Sequence, residues 1–471
     1  MTISFKTKKA AREVDMLTGS PSRAILLFAV PLFIGNVFQQ LYNMVDAMVV
    51  GRFVGINALA AVGASGPAYS LMVSLVLGAA SGASVVTAQI FGSGDSQGLR
   101  RAYITMWKIL GILGLAFSVI GFLLAGPTLR LLGTPAEVYA GSLMYVRIMC
   151  CGILATCLYN GMSSFLRSVG NSSTPLVALI ISSIVNIVLD LAFVLIGGMG
   201  VAGVAAATVI AQLVSGLYCL AYVHRKMPEL GFSVSEFRID PPAAKEMVRI
   251  GLPATFSTVV VTLSTMFIQA AVNSYGAIVV GAYTVGNKVE NICFCLAFSI
   301  GLATGVFCGQ NIGAGDEKRT VQGLYAGLRI AVIYSAVMAV FGFVFAAPLV
   351  RFFSPEPEVL AIGVPLIRLT GCFGPVLGMV FVFQNFLRNV SDVRPTVVMS
   401  FAEIISRGIL PFVLSSWIGY FGIWWATPVG WTLSALIGFI RYKSGKWRGK
   451  AAAMRGQSSD PAMPVNTEQI R

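Results

Sequence analysis

About twelve apolar stretches alternate with short polar connections, at 24–50, 58–88, 101–125, 138–166, 175–197, 201–223, 247–272, 278–308, 322–347, 360–386, 395–418 and 421–442. A helix needs roughly 20 apolar residues to cross a bilayer, and these stretches meet that length. The first is also ordered in its polar groups. Asn36, Gln39, Asn43 and Asp46 follow one another at intervals of 3, 4 and 3 residues. At 3.6 residues per turn all four lie along one helix face. A carboxylate inside an apolar span costs roughly 2.5–3.5 kcal/mol on insertion scales and normally faces protein or water. The stripe therefore reads as the lining of a pathway. Hydrogen bonding to a neighbouring helix is the plainer alternative.

Composition narrows the class. Of 471 residues, 56% are hydrophobic and 11% charged, with mean hydropathy +0.81. Soluble domains carry about 25% charged residues. An all-α polytopic membrane protein of about twelve transmembrane helices is expected. Residues 1–23 are polar and charged and lack the short apolar core of a cleavable signal, so the first span is expected to stay in the mature chain. The eight cysteines fall in apolar spans without metal-site spacing and read as buried packing residues. His224, the single histidine, stands beside Arg225 and Lys226 at a loop and reads as solvated or interfacial.

The net charge of +14 does not point to nucleic acid, because Lys and Arg gather in alternate loops and no basic–aromatic module accompanies them. Lys6, Lys8, Lys9, Arg12 and Arg23 precede the first span. Arg100, Arg101 and Arg167 follow on the same side. Arg225, Lys226, Arg238, Lys245 and Arg249 occupy the longest internal loop. Lys318, Arg319, Arg388 and Arg394 come next, and Lys443, Lys446, Arg448, Lys450 and Arg455 end the series. The opposite loops hold only Arg52, Arg130 and Arg351. Both termini are thus expected in the cytoplasm, with the chain in the plasma (inner) membrane. The expected division is a terminal segment 1–23, a first half 24–223, a linker 224–246, a second half 247–442 and a tail 443–471, the last part of it polar and disordered.

The halves resemble each other. Ala88-Gln-Ile-Phe-Gly-Ser-Gly-Asp95 reads against Gly309-Gln-Asn-Ile-Gly-Ala-Gly-Asp316, and Phe165-Leu-Arg-Ser-Val169 against Phe386-Leu-Arg-Asn-Val390. At one constant spacing of 221 residues, Gln89 meets Gln310, Asp95 meets Asp316, Arg130 meets Arg351 and Arg167 meets Arg388. Six spans per copy is an even number, so both copies enter the membrane from the same side. Two six-helix bundles should then be related by a pseudo-two-fold axis along the membrane normal, with a central cleft between them. Pro31, Pro253 and Pro411 lie near span starts, where they can kink helices. The Gly- and Ala-rich run Gly78 to Gly82 reads as close helix packing.

Catalytic and nucleotide-binding patterns are missing. There is no Walker loop, and Gly92-Ser-Gly94 lacks the lysine of a phosphate loop. The informative groups are acids and amides in the first half. Asn186 and Asp190 stand at i and i+4 on one face, Asn160 lies in the fourth span and Thr208 in the sixth. At 1.5 Å per residue, Asp46, Asp190 and Thr208 fall about 10–14 Å from the external end of their spans, with Asn160 and Asn186 near the midplane. Two carboxylates at close range cannot both stay ionised cheaply. The cluster Asp46, Asn160, Asn186, Asp190 and Thr208 is expected to couple transport to H⁺ by protonation or to Na⁺ through oxygen ligands. In the Na⁺ case Asp46, Asn186 and Asp190 would be the ligands. The alternative is an internal polar network that fixes packing.

The second half does not repeat the cluster. Phe267 or Ile268 stands opposite Asp46, Arg407 opposite Asn186, and Pro411 near the place of Asp190. Its seventh span carries Thr255, Thr258, Thr262, Thr265 and Gln269, which reads equally as cavity lining or as helix contacts. Glu290 has Lys288 nearby, and Glu403 stands one turn from Arg407, so these acids read as paired with bases. The expected substrate wall is Asn36, Gln39, Asn43, Met48, Thr262 and Gln269, with Met44 and Met162 as adaptable apolar surface.

Together these residues resemble the multidrug and toxic compound extrusion (MATE) family in its prokaryotic DinF-like branch, over about 20–445. The carrying segments are Val30-Pro31, Tyr42-Asn-Met-Val-Asp-Ala-Met-Val-Val-Gly51, Ala88-Gln89 with Gly92, Leu166-Arg167 with Gly170-Asn171 and Thr174-Pro175, Asn186-Ile-Val-Leu-Asp190, and Gly200-Val-Ala-Gly203. The resemblance implies twelve helices in two lobes and export of organic, often cationic small molecules against H⁺ or Na⁺, without a cofactor. It assigns Asp46, Asn160, Asn186, Asp190 and Thr208 to the cation site. One departure is Leu191, where relatives usually place proline. The seventh span also lacks the carboxylate of another branch, which favours a first-half site. A monomer is expected. A lipid-linked sugar flippase of the same architecture is the rival; an embedded enzyme or receptor finds no support in catalytic clusters or a soluble domain.

Overall fold

The computed structural model describes residues 14–231 and 239–448. The expectations resting on Lys6, Lys8, Lys9, Arg12, Arg238, Lys450 and Arg455, and on the tail from 449, lie outside the described residues. Within them the chain is helical and without strands. The first half holds α1 (Pro21–Val49), α2 (Ile56–Ser93), α3 (Ser96–Leu131), α4 (Ala136–Cys151), α5 (Ile153–Ser168), α6 (Ser173–Leu191) and α7 (Gly200–Lys226). The second holds α8 (Pro241–Asn273), α9 (Ala277–Gly313), α10 (Glu317–Phe353), α11 (Pro357–Cys372), α12 (Gly374–Asn389), α13 (Val393–Ile418) and α14 (Phe421–Lys443). Ten of these are long and apolar enough to cross a membrane alone. The pairs α4–α5 and α11–α12, bent by 50° and 49°, bring the spans to twelve.

The repeated motif has a plain structural role. Gly94 and Gly315 adopt left-handed φ of 75° and 85° just after α2 and α9. Asp95 and Asp316 then accept the amides of Gly98 and Arg319 at 2.8 and 2.7 Å, capping α3 and α10. Glycine stops one helix and aspartate starts the next. The bends recur as well. At Gly152 a Cβ would overlap Val209, and Pro375 in the first turn of α12 cannot continue the ladder of α11.

The halves are not separate bodies at the end of the bundle that carries residues 14 and 448 and the linker, here the linker face. Ala24, Ile25, Phe28, Ala29 and Leu32 of α1 are buried in the second half's core with Phe307, Phe386 and Trp431. Farther along, Val50 packs with Ala58 and Val204 of the first half. Helix α8 mirrors this: Met247 and Ile250 lie in the first half's core, whereas Ile268, Ala271 and Val272 lie in the second's. Each lead helix begins in the opposite half and ends in its own.

The seam between the halves is sealed from the linker face to about mid-bundle. Cβ atoms on Gly92 and Gly313 would overlap the backbone of Gln310 and Gln89 respectively, so α2 and α9 meet backbone to backbone. The Gln89 amide donates to the Asn389 carbonyl at 2.6 Å, and that of Gln310 to the Ser168 carbonyl at 2.7 Å. Each is the other's image in the 221-residue repeat. Arg388 donates to Ser81, Asn36 to Ser299, and Ser74 meets Thr262 at 3.4 Å. Among the described residues, these hydrogen bonds and glycine contacts between the halves all lie between the linker face and mid-bundle.

Two expectations change. Cys151 and Cys372 are exposed, not buried; they are repeat-mates beside the two helix bends, where the outer side of each bend is uncovered. Lys288 lies over the Phe353 ring, 5.6 Å from its centroid, and is not the partner of Glu290; Arg407 is the base within electrostatic reach.

Close packing at α2–α8 gives a stability prediction. Gly82 abuts the Met247 carbonyl and Gly251, neither able to retreat. Gly82→Leu should destabilise the protein by about 1–3 kcal/mol or more and so lower its thermal midpoint. Gly111→Ala, which meets open space, should be neutral or stabilising by about 0.5 kcal/mol. Thermal unfolding in detergent reads both.

Candidate functional site

The acids sit where two helices loosen. Asp46 lies in the last turn of α1, which passes into a π-helical turn at Val50–Val54, and Asp190 lies in the last turn of α6, which does the same at Ala192–Ile196. Such π turns free backbone groups and are frequent at functional sites. With Leu191 where relatives place proline, α6 runs on unbroken into its π turn.

Helices α1 and α6 pack side by side, and the two carboxyls interact directly across the gap. Asn186 and Asp190 are fully buried, and Thr208 nearly so. Neither oxygen of Asp190, neither polar atom of the Asn186 amide, nor Oδ1 of Asp46 finds a hydrogen-bond partner in the protein. Buried polar atoms are paired in the great majority of proteins. Carboxyl and amide oxygens left unpaired beside the Asn186 NH2 group can take up a proton or a small cation. The chemistry is that of oxygen ligation and carboxyl protonation, not of catalysis.

Tyrosines that the sequence did not single out complete the wall. The Tyr42 hydroxyl pairs with Thr208 and lies within electrostatic reach of both acids. Tyr145 from α4 is close to Asp46, Asp190, Tyr42 and Tyr69, and Tyr69 from α2 pairs with Thr156. Tyr42 was legible in principle, because it precedes Asp46 by one helical turn. Tyr69 and Tyr145 were not, since nothing local links them to the acids. Thr208 also donates to the Val204 carbonyl at 3.1 Å.

Other candidates are scattered. The Asn160 amide donates to the Thr156 carbonyl of its own helix at 2.9 Å, and no contact joins it to the acid pair. The polar stripe of α1 is divided among neighbours: Asn36 donates to Ser299 across the seam, while Gln39 and Tyr42 line a narrow polar cavity with Ser182, Ser183, Gln212 and Ser215 inside the first half. That cavity begins at Tyr42, one helical turn or about 6 Å from Asp46, and runs toward the linker face. Asn43, Met44 and Met48 are exposed. Met162 is buried in the first half's core, its sulfur 3.7 Å from the Tyr103 hydroxyl, and is no part of an open wall. Thr258, Thr262 and Thr265 donate to carbonyls of their own helix. Thr262 meets Ser74 in the seam, and Gln269 donates to Asn273 on its own helix.

If the carboxyls repel when both are ionised, Asp190→Asn should raise the thermal midpoint in alkaline buffer by at least about 2 °C. A fall would mean that the charge is needed for packing.

Comparison with known proteins follows the same lines. The family model described as MatE matches the chain twice, over residues 31–192 and 253–413, one match in each half. The "Probable multidrug resistance protein YoeA" of Bacillus subtilis (strain 168) is 31% identical over 433 residues, 89% of this chain and 93% of that protein. The "Probable multidrug resistance protein YpnP" of the same organism is 31% identical over 441 residues, 92% of this chain and 97% of that protein. Among solved structures, "Crystal structure of MATE in the bent conformation" superposes with a TM-score of 0.86 at 21% identity, covering 96% of this chain and all of that one.

Proposed function

The chain belongs to the MatE family of multi-pass membrane proteins, and on that premise we propose that it is a secondary transporter that expels organic, chiefly cationic, small molecules in exchange for H⁺ or Na⁺. The observation that carries this reading is that Asp46 and Asp190 lie within electrostatic reach of each other, with both Asp190 oxygens, Asp46 Oδ1 and the buried Asn186 amide left without hydrogen-bond partners in the protein. Asp46, Asn186, Asp190 and Thr208 form the coupling centre, with Tyr42 as its lid and Asn160 one step removed. In a Na⁺-coupled cycle Asp46, Asn186 and Asp190 supply ligands; in an H⁺-coupled cycle the acid pair carries the proton. Multidrug resistance proteins at 31% identity support drugs as the cargo.

The cycle is alternating access. The seam is sealed on the linker face, which supports a cleft that opens to the far face in this state. The loop charges support a linker face and both termini on the cytoplasmic side of the plasma membrane. Helix α1 is common to both events: its start is buried in the second half and its end carries Asp46. Proton or sodium binding that redirects the end of α1, around Pro31, changes the balance between closed and open seam. Cargo and ion need not bind together; they need only prefer different states.

The test is dye efflux from vesicles holding the purified protein, driven by an imposed gradient. Asp46→Asn and Asp190→Asn should each cut driven efflux at least about tenfold, the size of a typical coupling energy. Thr208→Val should do so to a smaller degree. Full efflux in both acid variants sinks the assignment. A Na⁺ gradient at equal pH on both sides separates the two coupling ions.

A further inference from the structure

Ahead of α1, residues 14–19 lie directly over the seam. Asp15 accepts the Leu17 and Thr18 amides at 2.9 and 3.1 Å and the Thr18 hydroxyl at 2.6 Å, which folds the segment into a tight hook. At its centre Met16 is 1% exposed and sits in the second half's core with Phe307, Phe386 and Trp447. The second half grips the backbone around it. Arg319 donates to the carbonyls of Thr18, Gly19 and Met16 at 2.7, 2.8 and 3.2 Å, with its guanidinium stacked over Phe307. Asn311 donates to the Met16 carbonyl at 3.0 Å.

The other end of the hook holds the first half. The Val14 amide donates to the Gly170 carbonyl at 3.1 Å. Gly170 has φ +91°, and a Cβ there would come within 2.8 Å of the Val14 carbonyl oxygen and 3.8 Å of Gln310 Nε2. Gln310 is the residue that crosses the seam to Ser168. The hook therefore covers one of the two symmetric glutamine bonds that hold the halves together. On the second half its mooring is a buried methionine, a charged fork and an amide; on the first half it includes the backbone bond from Val14 to Gly170.

We infer that residues 14–19 are a latch on the seam, held permanently by the second half and released from Gly170 each time the linker face opens. The same sequence of events follows from how α1 is buried. Its first turns lie in the second half's core, so the hook travels with that half and the Val14–Gly170 bond is the one that must break. Of the corresponding segment ahead of α8 only residues 239 and 240 are described, and there the Asp240 amide donates to Thr105 of α3 at 3.1 Å.

This inference rests on the alternating-access reading, yet its test does not need transport. Amide hydrogen exchange is followed in detergent, without cargo or gradient, across 89–93 and 309–313. Val14→Pro removes the donor to Gly170, and Val14→Ala is its control, because it keeps the donor and trims only the side chain that packs against the second half's core. Arg319→Ala removes the fork on the other side. Val14→Pro and Arg319→Ala should each quicken exchange in both windows at least about fivefold, and Val14→Ala clearly less, with exchange near 265–276 on the far face unchanged. Arg319→Lys, which keeps the charge but loses the fork, should fall between. Unchanged exchange in both windows for Val14→Pro and Arg319→Ala overturns the latch. Loss of efflux in the acid variants, with or without a latch effect, bears on the coupling reading alone.

Discussion

Everything in this molecule hangs on the crossing of α1 and α8. Each lead helix spends its first turns as a core element of the opposite half and its last turns in its own. Burial of Ile25, Phe28 and Met16 on one side, and of Met247 and Ile250 on the other, is apolar area removed from the seam, at roughly 25 cal/mol per Å². The seam is thus a shared core and not a contact between finished surfaces. Glycines keep it narrow, because any side chain at Gly82, Gly92 or Gly313 would strike backbone. What can change is how the far parts of α1 and α8 lean, since these belong to separate bodies.

That arrangement makes the position of Asp46 consequential. It stands on the part of α1 that belongs to the first half, beyond Pro31 and just before a π turn, while the other end of the same helix is locked into the second half. A change in charge or ligation at Asp46 acts on a rod that spans the seam. Helix α8 crosses in the same way but carries Phe267 and Ile268 at the matching place. One crossing rod carries a carboxylate at that depth; the other carries none.

The sequence was a good guide wherever structure repeats or stays local. The 221-residue register anticipated that Gln89 and Gln310 would share a role, and they make image-related bonds across the seam. It also named Asp95 and Asp316, which prove to be helix caps. The stripe on α1 was less well read. A helix face about 80° wide still borders several neighbours in a bundle, so Asn36, Gln39 and Asp46 part company. Tyr69 and Tyr145 escaped notice for the opposite reason: large aromatics in apolar spans look like packing until a distant acid is placed beside them.

By itself, the sequence determined the twelve spans, their division into two copies and the confinement of intramembrane carboxylates without a nearby base to the first half. These follow from hydropathy, spacing and composition, which the covalent chain carries along its length. Only the tertiary structure decided that the lead helices exchange halves, that Asp46 meets Asp190 while Asn160 turns to its own helix, and that the seam is closed on the linker face beneath a hook of residues 14–19. Those outcomes depend on which helix faces meet across hundreds of residues. No local pattern in the chain carries that information.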